Sequence, residues 1–263
     1  MKHFVSIFAS ILIAILPAYS FAEINSLSEA INKAGRQRML GQRIVKNYLM
    51  IGSDIKTAKA QKELDDAIAL FEEQHIELVD YAPSEDIEAS LGNVSQLWNN
   101  FRLKAISEPQ LHVGQELIKQ SNELFTASNK VVSLLEAHSG TSKAKLVNIS
   151  GKQRMLSQKI AKLYMGMYWR VNIANIETDF NNTIAQFEQG LMTLIKAQEN
   201  TQVLNKKLRK VKAQWDFSKA GFSQYQNGRF VPTVISVTTE SMLNKMDEIT
   251  LLYQQLEQNR QDK

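Results

Sequence analysis

The sequence predicts an all-α protein built from two tandem four-helix bundles, and three observations carry that prediction. Long stretches repeat their apolar residues at helical spacing, and alternating strand-like patterns are essentially absent. After Pro17 only Pro83, Pro109 and Pro232 remain, each at or near a break between periodic stretches, where helices tolerate proline. Sliding the sequence against itself also superposes one half on the other.

The chain opens with Lys2, the 13-residue apolar run Phe4 to Leu16, Pro17, and then Ala18-Tyr19-Ser20-Phe21-Ala22-Glu23. That run is shorter than the roughly 20 residues a membrane span needs. Ser20 and Ala22 are small residues at the two positions a signal peptidase reads, so residues 1–22 are expected to be a leader cleaved after Ala22. No later segment approaches spanning length. The expected location is therefore the periplasm, free of the membrane.

Helices are expected near 24–52, 57–80, 85–105, 109–137, 143–172, 175–198, 201–221 and 232–258. The stretch Ser139-Gly140-Thr141-Ser142 reads either as a short break or as a bend in one long helix that would join the bundles end to end. At an offset of 116 (148 minus 32), the stretch Ile31–Tyr48 lies over Val147–Tyr164 with ten identical residues in eighteen. The identities are Asn, Gly, Gln, Arg, Met, Leu, Gln, Ile, Lys and Tyr. The same offset places Phe71 on Phe187, and one added residue places Trp98 on Trp215. Each copy thus holds a motif helix, a Phe helix, a Trp helix and a closing helix, with the copies spanning 23–138 and 139–263.

Composition narrows the function. Without cysteine there is no disulfide framework and no lipidated N-terminal cysteine, so packing alone must supply stability. A net charge of +4 with interspersed acids gives no basis for nucleic-acid binding. The basic run Lys206 to Lys212 reads as a solvated helix face. Glu72 and His75 have half-site metal spacing, but the second copy offers Glu188 with Leu191, so no metal is expected. His112 and His138 lack ligand spacing. Neither a nucleophile beside a histidine nor a phosphate loop is found, so neither an enzyme nor a cofactor is expected. The cluster Tyr164, Met165, Met167, Tyr168 and Trp169 reads as core.

The chemistry concentrates on the motif helix. One face carries Leu40, Ile44, Tyr48 and Ile51, while the opposite face carries Ile31, Ala34, Gly35, Arg38, Gln42, Val45 and Leu49. The second copy repeats the latter face with Val147, Ser150, Gly151, Arg154, Gln158, Ala161 and Met165. An arginine within a small apolar stripe carries a large desolvation penalty unless something accepting or anionic meets it. Gly35 and Gly151 cost each helix about 1 kcal/mol relative to alanine, and they permit close approach to the backbone. Gly35, Arg38 and Gln42, with Gly151, Arg154 and Gln158, therefore form a candidate donor set for a small planar anion. The alternative is an arginine bonded to a helix-end carbonyl or a buried carboxylate. Arg36 and Arg43, with Lys152 and Lys159, project to a third side and read as surface charge.

Ala34-Gly35-Arg36-Gln37-Arg38-Met39-Leu40-Gly41-Gln42-Arg43 and Ser150-Gly151-Lys152-Gln153-Arg154-Met155-Leu156-Ser157-Gln158-Lys159 resemble the signature of the PilJ-type domain. That family is the N-terminal sensory domain of type IV pili methyl-accepting chemotaxis transducers. The motif is also similar to the ligand box of nitrate and nitrite sensor kinases, where a Gly and an Arg on the first helix bind nitrate at a dimer interface. The resemblance implies a ligand role for Gly35 with Arg38 and for Gly151 with Arg154, nitrate or nitrite as ligand, and a homodimer or a membrane receptor as partner. This sequence departs from those receptors in carrying no second membrane segment, HAMP-like linker or kinase domain, so a separate partner is expected to pass on the signal. Gly41 stands where the second copy has Ser157, which makes the two sites similar but unequal. A structural or adaptor protein of the envelope or pilus, with no small-molecule ligand, is the competing expectation.

Overall fold

The computed structural model describes residues 23–140 and 142–261, apart from the side chains of residues 142, 143, 220 and 259–261. The expected leader, residues 1–22, lies outside the described residues. Among the described residues eight α-helices follow one another: α1 (Leu27–Gly52), α2 (Thr57–Tyr81), α3 (Glu85–Ala105), α4 (Leu111–Ser139), α5 (Ser142–Tyr168), α6 (Ile176–Ile195), α7 (Gln202–Phe222) and α8 (Pro232–Gln261). A short 3-10 turn at Gln224–Asn227, not anticipated from the sequence, precedes α8. No strand occurs among the described residues.

The boundaries have local causes. Ser26 caps α1 by accepting from the Glu29 backbone N–H, and Glu29 reaches back to the Asn25 backbone N–H, one residue before the cap. Thr201 caps α7 in the same way through Leu204. Pro232 occupies the first position of α8, where its missing N–H costs nothing. After each motif helix the chain turns through a left-handed residue, Asp54 in the first copy and Arg170 in the second (170 minus 116 is 54).

Helices α1 to α4 pack together, as do α5 to α8. Each core is centred on the stacked aromatic pair that the repeat pattern pairs up. Phe71 lies on Trp98 with centroids 3.8 Å apart, and Phe187 lies on Trp215 at 4.2 Å. Tyr164 and Met165 are buried, while Met167, Tyr168 and Trp169 are partly so. His75 donates to or accepts from Ser95 Oγ at 2.6 Å, and Glu72 turns to Arg102 and Trp98, so the two do not converge.

The bundles lie side by side rather than end to end. Gly140, at φ 63°, closes α4 in the left-handed conformation favoured by glycine, and α5 then returns antiparallel to α4. A break at Gly140, not a bend in one long helix, therefore ends α4. The motif helices α1 and α5 run parallel and in register along the junction. Gly35 and Gly151 flank the same guanidinium pair, Gln42 and Lys162 both reach Ser121, and Gly52 packs on the Trp169 ring. The two halves are thus related by an approximate twofold axis along the α1–α5 seam, inside one chain.

Candidate functional site

The seam buries almost the whole circumference of both motif helices. The face carrying Leu40, Ile44 and Tyr48 fills the bundle, and the glycine-arginine face meets its counterpart. Arg38 is 2% exposed and Arg154 is fully buried.

The two arginines are held by reciprocal contacts. Arg38 Nη2 donates to Asn148 Oδ1 at 2.9 Å, and Arg154 Nη2 donates to Asn32 Oδ1 at 2.7 Å. Asn32 and Asn148 are repeat equivalents, so each motif helix supplies an asparagine to the other's arginine. The closing helices complete the set: Arg38 Nη1 donates to Asn129 Oδ1 at 2.7 Å, and Arg154 Nη1 donates to Asp247 Oδ1 at 2.5 Å. The Nε–H of both arginines is buried without a hydrogen-bond partner.

The glycines are the floor on which these side chains lie. A Cβ at Gly35 would stand 3.3 Å from Arg38 Nη2 and 3.6 Å from Arg154 Nη2, and at Gly151 the corresponding distances are 3.7 Å and 3.3 Å. The close approach that the sequence attributes to these glycines is thus made by the two guanidiniums themselves. Burial, then the like charge of Arg154, lowers the Arg38 pKa to about 9, with Glu136 opposing. Burial, then Arg36, lowers Arg154 to about 10, against Asp247. Both remain cationic at neutral pH.

The halves carry their acids differently. Closing-helix positions correspond at an offset of 118, pairing Asn129 with Asp247 (247 minus 129) and Glu136 with Gln254 (254 minus 136). Asn148 donates to the Glu136 carboxylate, whereas Asn32 donates to the Gln254 amide oxygen at 2.6 Å. Arg38 therefore touches only neutral acceptors, with an acid one residue further out, while Arg154 touches an acid directly. Burial would raise the Asp247 carboxyl, but Arg154 and Arg36 outweigh it and hold it below the usual range.

One expectation needs correction. Arg36 and Arg43 are not plain surface charges: Arg36 binds Asp247 at 3.1 Å and Arg43 binds Glu240 at 2.7 Å, so both tie α1 to α8 across the bundle junction. Side-by-side packing brings α8 onto α1, which a single amphipathic projection does not reveal. Gln42 and Gln158 are buried on the seam as expected, yet they are not among the arginines' partners. Gln42 Nε2 donates to the Ser121 carbonyl at 3.3 Å, and the Gln158 carboxamide makes no hydrogen bond. The sequence reading missed Asn32 and Asn148 as partners, although Asn is among the ten repeated identities. It also missed Asn129 and Asp247, which differ between copies and so leave no repeat signal.

A family model described as type IV pili methyl-accepting chemotaxis transducer N-term, PilJ, matches residues 19–124 and 137–227. The chain belongs to the PilJ family. Its two PilJ copies account for the internal repeat, and the second match ends before α8, which packs on α5 in the place α4 takes on α1. PilJ domains are extracellular or periplasmic sensory domains without catalytic function. Among the described residues, no helix is long and apolar enough to cross a membrane. No curated protein and no solved structure matches the chain.

Proposed function

We propose that this PilJ protein is an exported sensor that binds a small planar anion, nitrate or nitrite, on the α1–α5 seam and presents it to a membrane receptor or regulator. The ligand set is Gly35, Arg38, Gly151 and Arg154, with Gln42 and Gln158 further along the seam. The observation that carries the reading is the buried pair of guanidiniums over two glycines, with one carboxylate, Asp247, in direct contact. Two like charges out of water carry an electrostatic cost that an anion between them would offset. In the nitrate sensor kinases that the motif resembles, such a site spans a dimer interface. Here both motif helices belong to one chain, so one protomer supplies a complete seam.

One observation favours the competing reading of a structural or adaptor protein. Each arginine already donates from both Nη1 and Nη2 to protein acceptors, Asn129 and Asn148 for Arg38 and Asp247 and Asn32 for Arg154, as an internal packing seam requires. Calorimetric titration of the wild type and of Arg38→Ala, Arg154→Ala and Arg209→Ala with nitrate and nitrite separates the two. Arg209, exposed on α7, is the neutral control. Loss of one charge-assisted bond, roughly 1.5 to 3 kcal/mol, lowers affinity about tenfold or more. Absence of binding by the wild type, or equal damage from Arg209→Ala, rejects the sensing reading.

A further inference from the structure

The repeat places a lysine in both motif helices, and the two are treated differently. Lys46 and Lys162 (162 minus 46 is 116) are both fully buried. Lys46 Nζ lies 3.1 Å from Glu63 Oε2 and 3.2 Å from Glu240 Oε2, so two carboxylates balance it. At the equivalent places around Lys162 stand Asp179 (179 minus 63 is 116) and Asn122 (240 minus 122 is 118). Lys162 Nζ instead donates to Ser121 Oγ at 2.9 Å and to Asn122 Oδ1 at 3.3 Å, both neutral. Among the described residues no carboxylate lies within ion-pair distance of it.

One turn earlier on the same face, Gln158 is fully buried with neither amide atom bonded, and across the seam Gln42 Oε1 is also unbonded. Buried carboxamides without partners are rare, because a polar group taken out of water without a new hydrogen bond is destabilising. Here they border a buried ammonium. Asn122, which accepts from Lys162, is itself exposed to solvent.

We propose that Lys162, Gln158 and Asn122 form a second anion site, distinct from the arginine layer, that takes a small monovalent anion such as chloride. The donors are the third Lys162 N–H, Gln158 Nε2 and Asn122 Nδ2, and Ser121 fixes the ammonium by accepting from it while donating to the Ile118 carbonyl. The anion takes the place that Glu240 fills in the first copy. Burial, and then the charge of Lys159, pushes the Lys162 ammonium well below its ordinary range, with Asp179 on α6 opposing. The groups facing it from α4 and α1, Ser121, Asn122 and Gln42, carry no charge. The anion binds the protonated form of Lys162, so the chloride response should weaken as pH rises.

Thermal melts in sodium chloride against sodium gluconate at one ionic strength test this, since equal screening removes the nonspecific salt effect. The wild-type Tm should rise with chloride and saturate. Asn122→Glu should raise the chloride-free Tm and abolish the chloride response. Lys162→Met, close in volume and without a charge, should fold and also lose it. A chloride-independent wild-type Tm, or a full response retained in Asn122→Glu, overturns the proposal. A response retained in Asn122→Glu but lost in Arg38→Ala assigns chloride to the arginines, and the sensing reading then survives alone. A response lost in Asn122→Glu with no nitrate heat in any variant has the opposite meaning.

Discussion

Asp247→Asn gives the second half of the seam the residue that the first half already has at Asn129, and its consequences can be worked from the geometry. Asp247 Oδ1 accepts from Arg154 at 2.5 Å and from Arg36 at 3.1 Å, so two charge-assisted bonds lose their charge. Such bonds are worth about 1.5 to 3 kcal/mol each, while exposed ion pairs are worth about 0 to 1. The Arg154 side chain is fully buried, but that of Asp247 is 37% exposed and that of Arg36 is 20% exposed, so screening places the sum near the lower end. Asparagine also keeps the acceptor oxygen. The expected loss is about 2 kcal/mol in nitrate-free urea denaturation, or a Tm lower by about 4 to 8 °C for a protein of this size. The same change leaves two cations, Arg154 and Arg36, without their shared acid, so nitrate should bind at least tenfold more tightly, each tenfold being about 1.4 kcal/mol. Saturating nitrate should then recover much of the lost stability. A variant as stable as the wild type, or one that binds nitrate no better, refutes the claim that Asp247 competes with the anion.

Gly35→Ala should change stability by less than about 1 kcal/mol, because the helix gains about that much in propensity while Arg38 Nη2 must give way at 3.3 Å. Its nitrate affinity should fall by about tenfold or more in the same titration. The Asp247 and Glu63 carboxyls are held low by their cations against the effect of burial, so their contribution is full above the unfolded carboxylate range near about 4 and is lost as pH falls through the lower folded values. Urea midpoints should therefore fall steeply below about pH 4, and less so in Asp247→Asn; equal slopes count against the assignment. Trp98→Ala and Trp215→Ala should each cost about 3 to 5 kcal/mol, since each ring is buried against its Phe partner, and a difference of more than a few kcal/mol between them argues against equivalent cores.

Much of the fold was legible because it rests on local signals. The ends of α1, α2, α3 and α7 fall within about three residues of the periodicity-based limits, with Ser26 and Thr201 acting as caps. The repeat also marked Phe71, Trp98, Phe187 and Trp215 as matching core positions. The placement of one bundle beside the other was not legible. Gly140 could end a helix or bend one, and only the packing of α5 against α1 decides. That packing also determines the site's partners. Gly35, Arg38, Gly151 and Arg154 stand out because glycine and arginine conflict with a buried helical stripe. Asn129, Asp247 and Glu240 come from closing helices more than 80 residues away from the arginine or lysine they meet (129 minus 38 is 91), and their differences between copies erase the repeat signal. Lys46 and Lys162 sit in the repeated motif, yet their contrast depends on whether Glu240 or Asn122 lies opposite.

The central claim is that the α1–α5 seam of a single chain binds a small anion, and the most direct measurement is a pair of crystal structures, grown with and without nitrate at otherwise equal composition. The account predicts trigonal density between Gly35 and Gly151 in the nitrate crystals, within about 3 Å of Arg38 and Arg154, present once per chain and accompanied by release of at least one asparagine contact. Unchanged arginine contacts to Asn129, Asn148, Asn32 and Asp247 in both crystals, with no density between the glycines, would contradict it and leave the seam as packing alone.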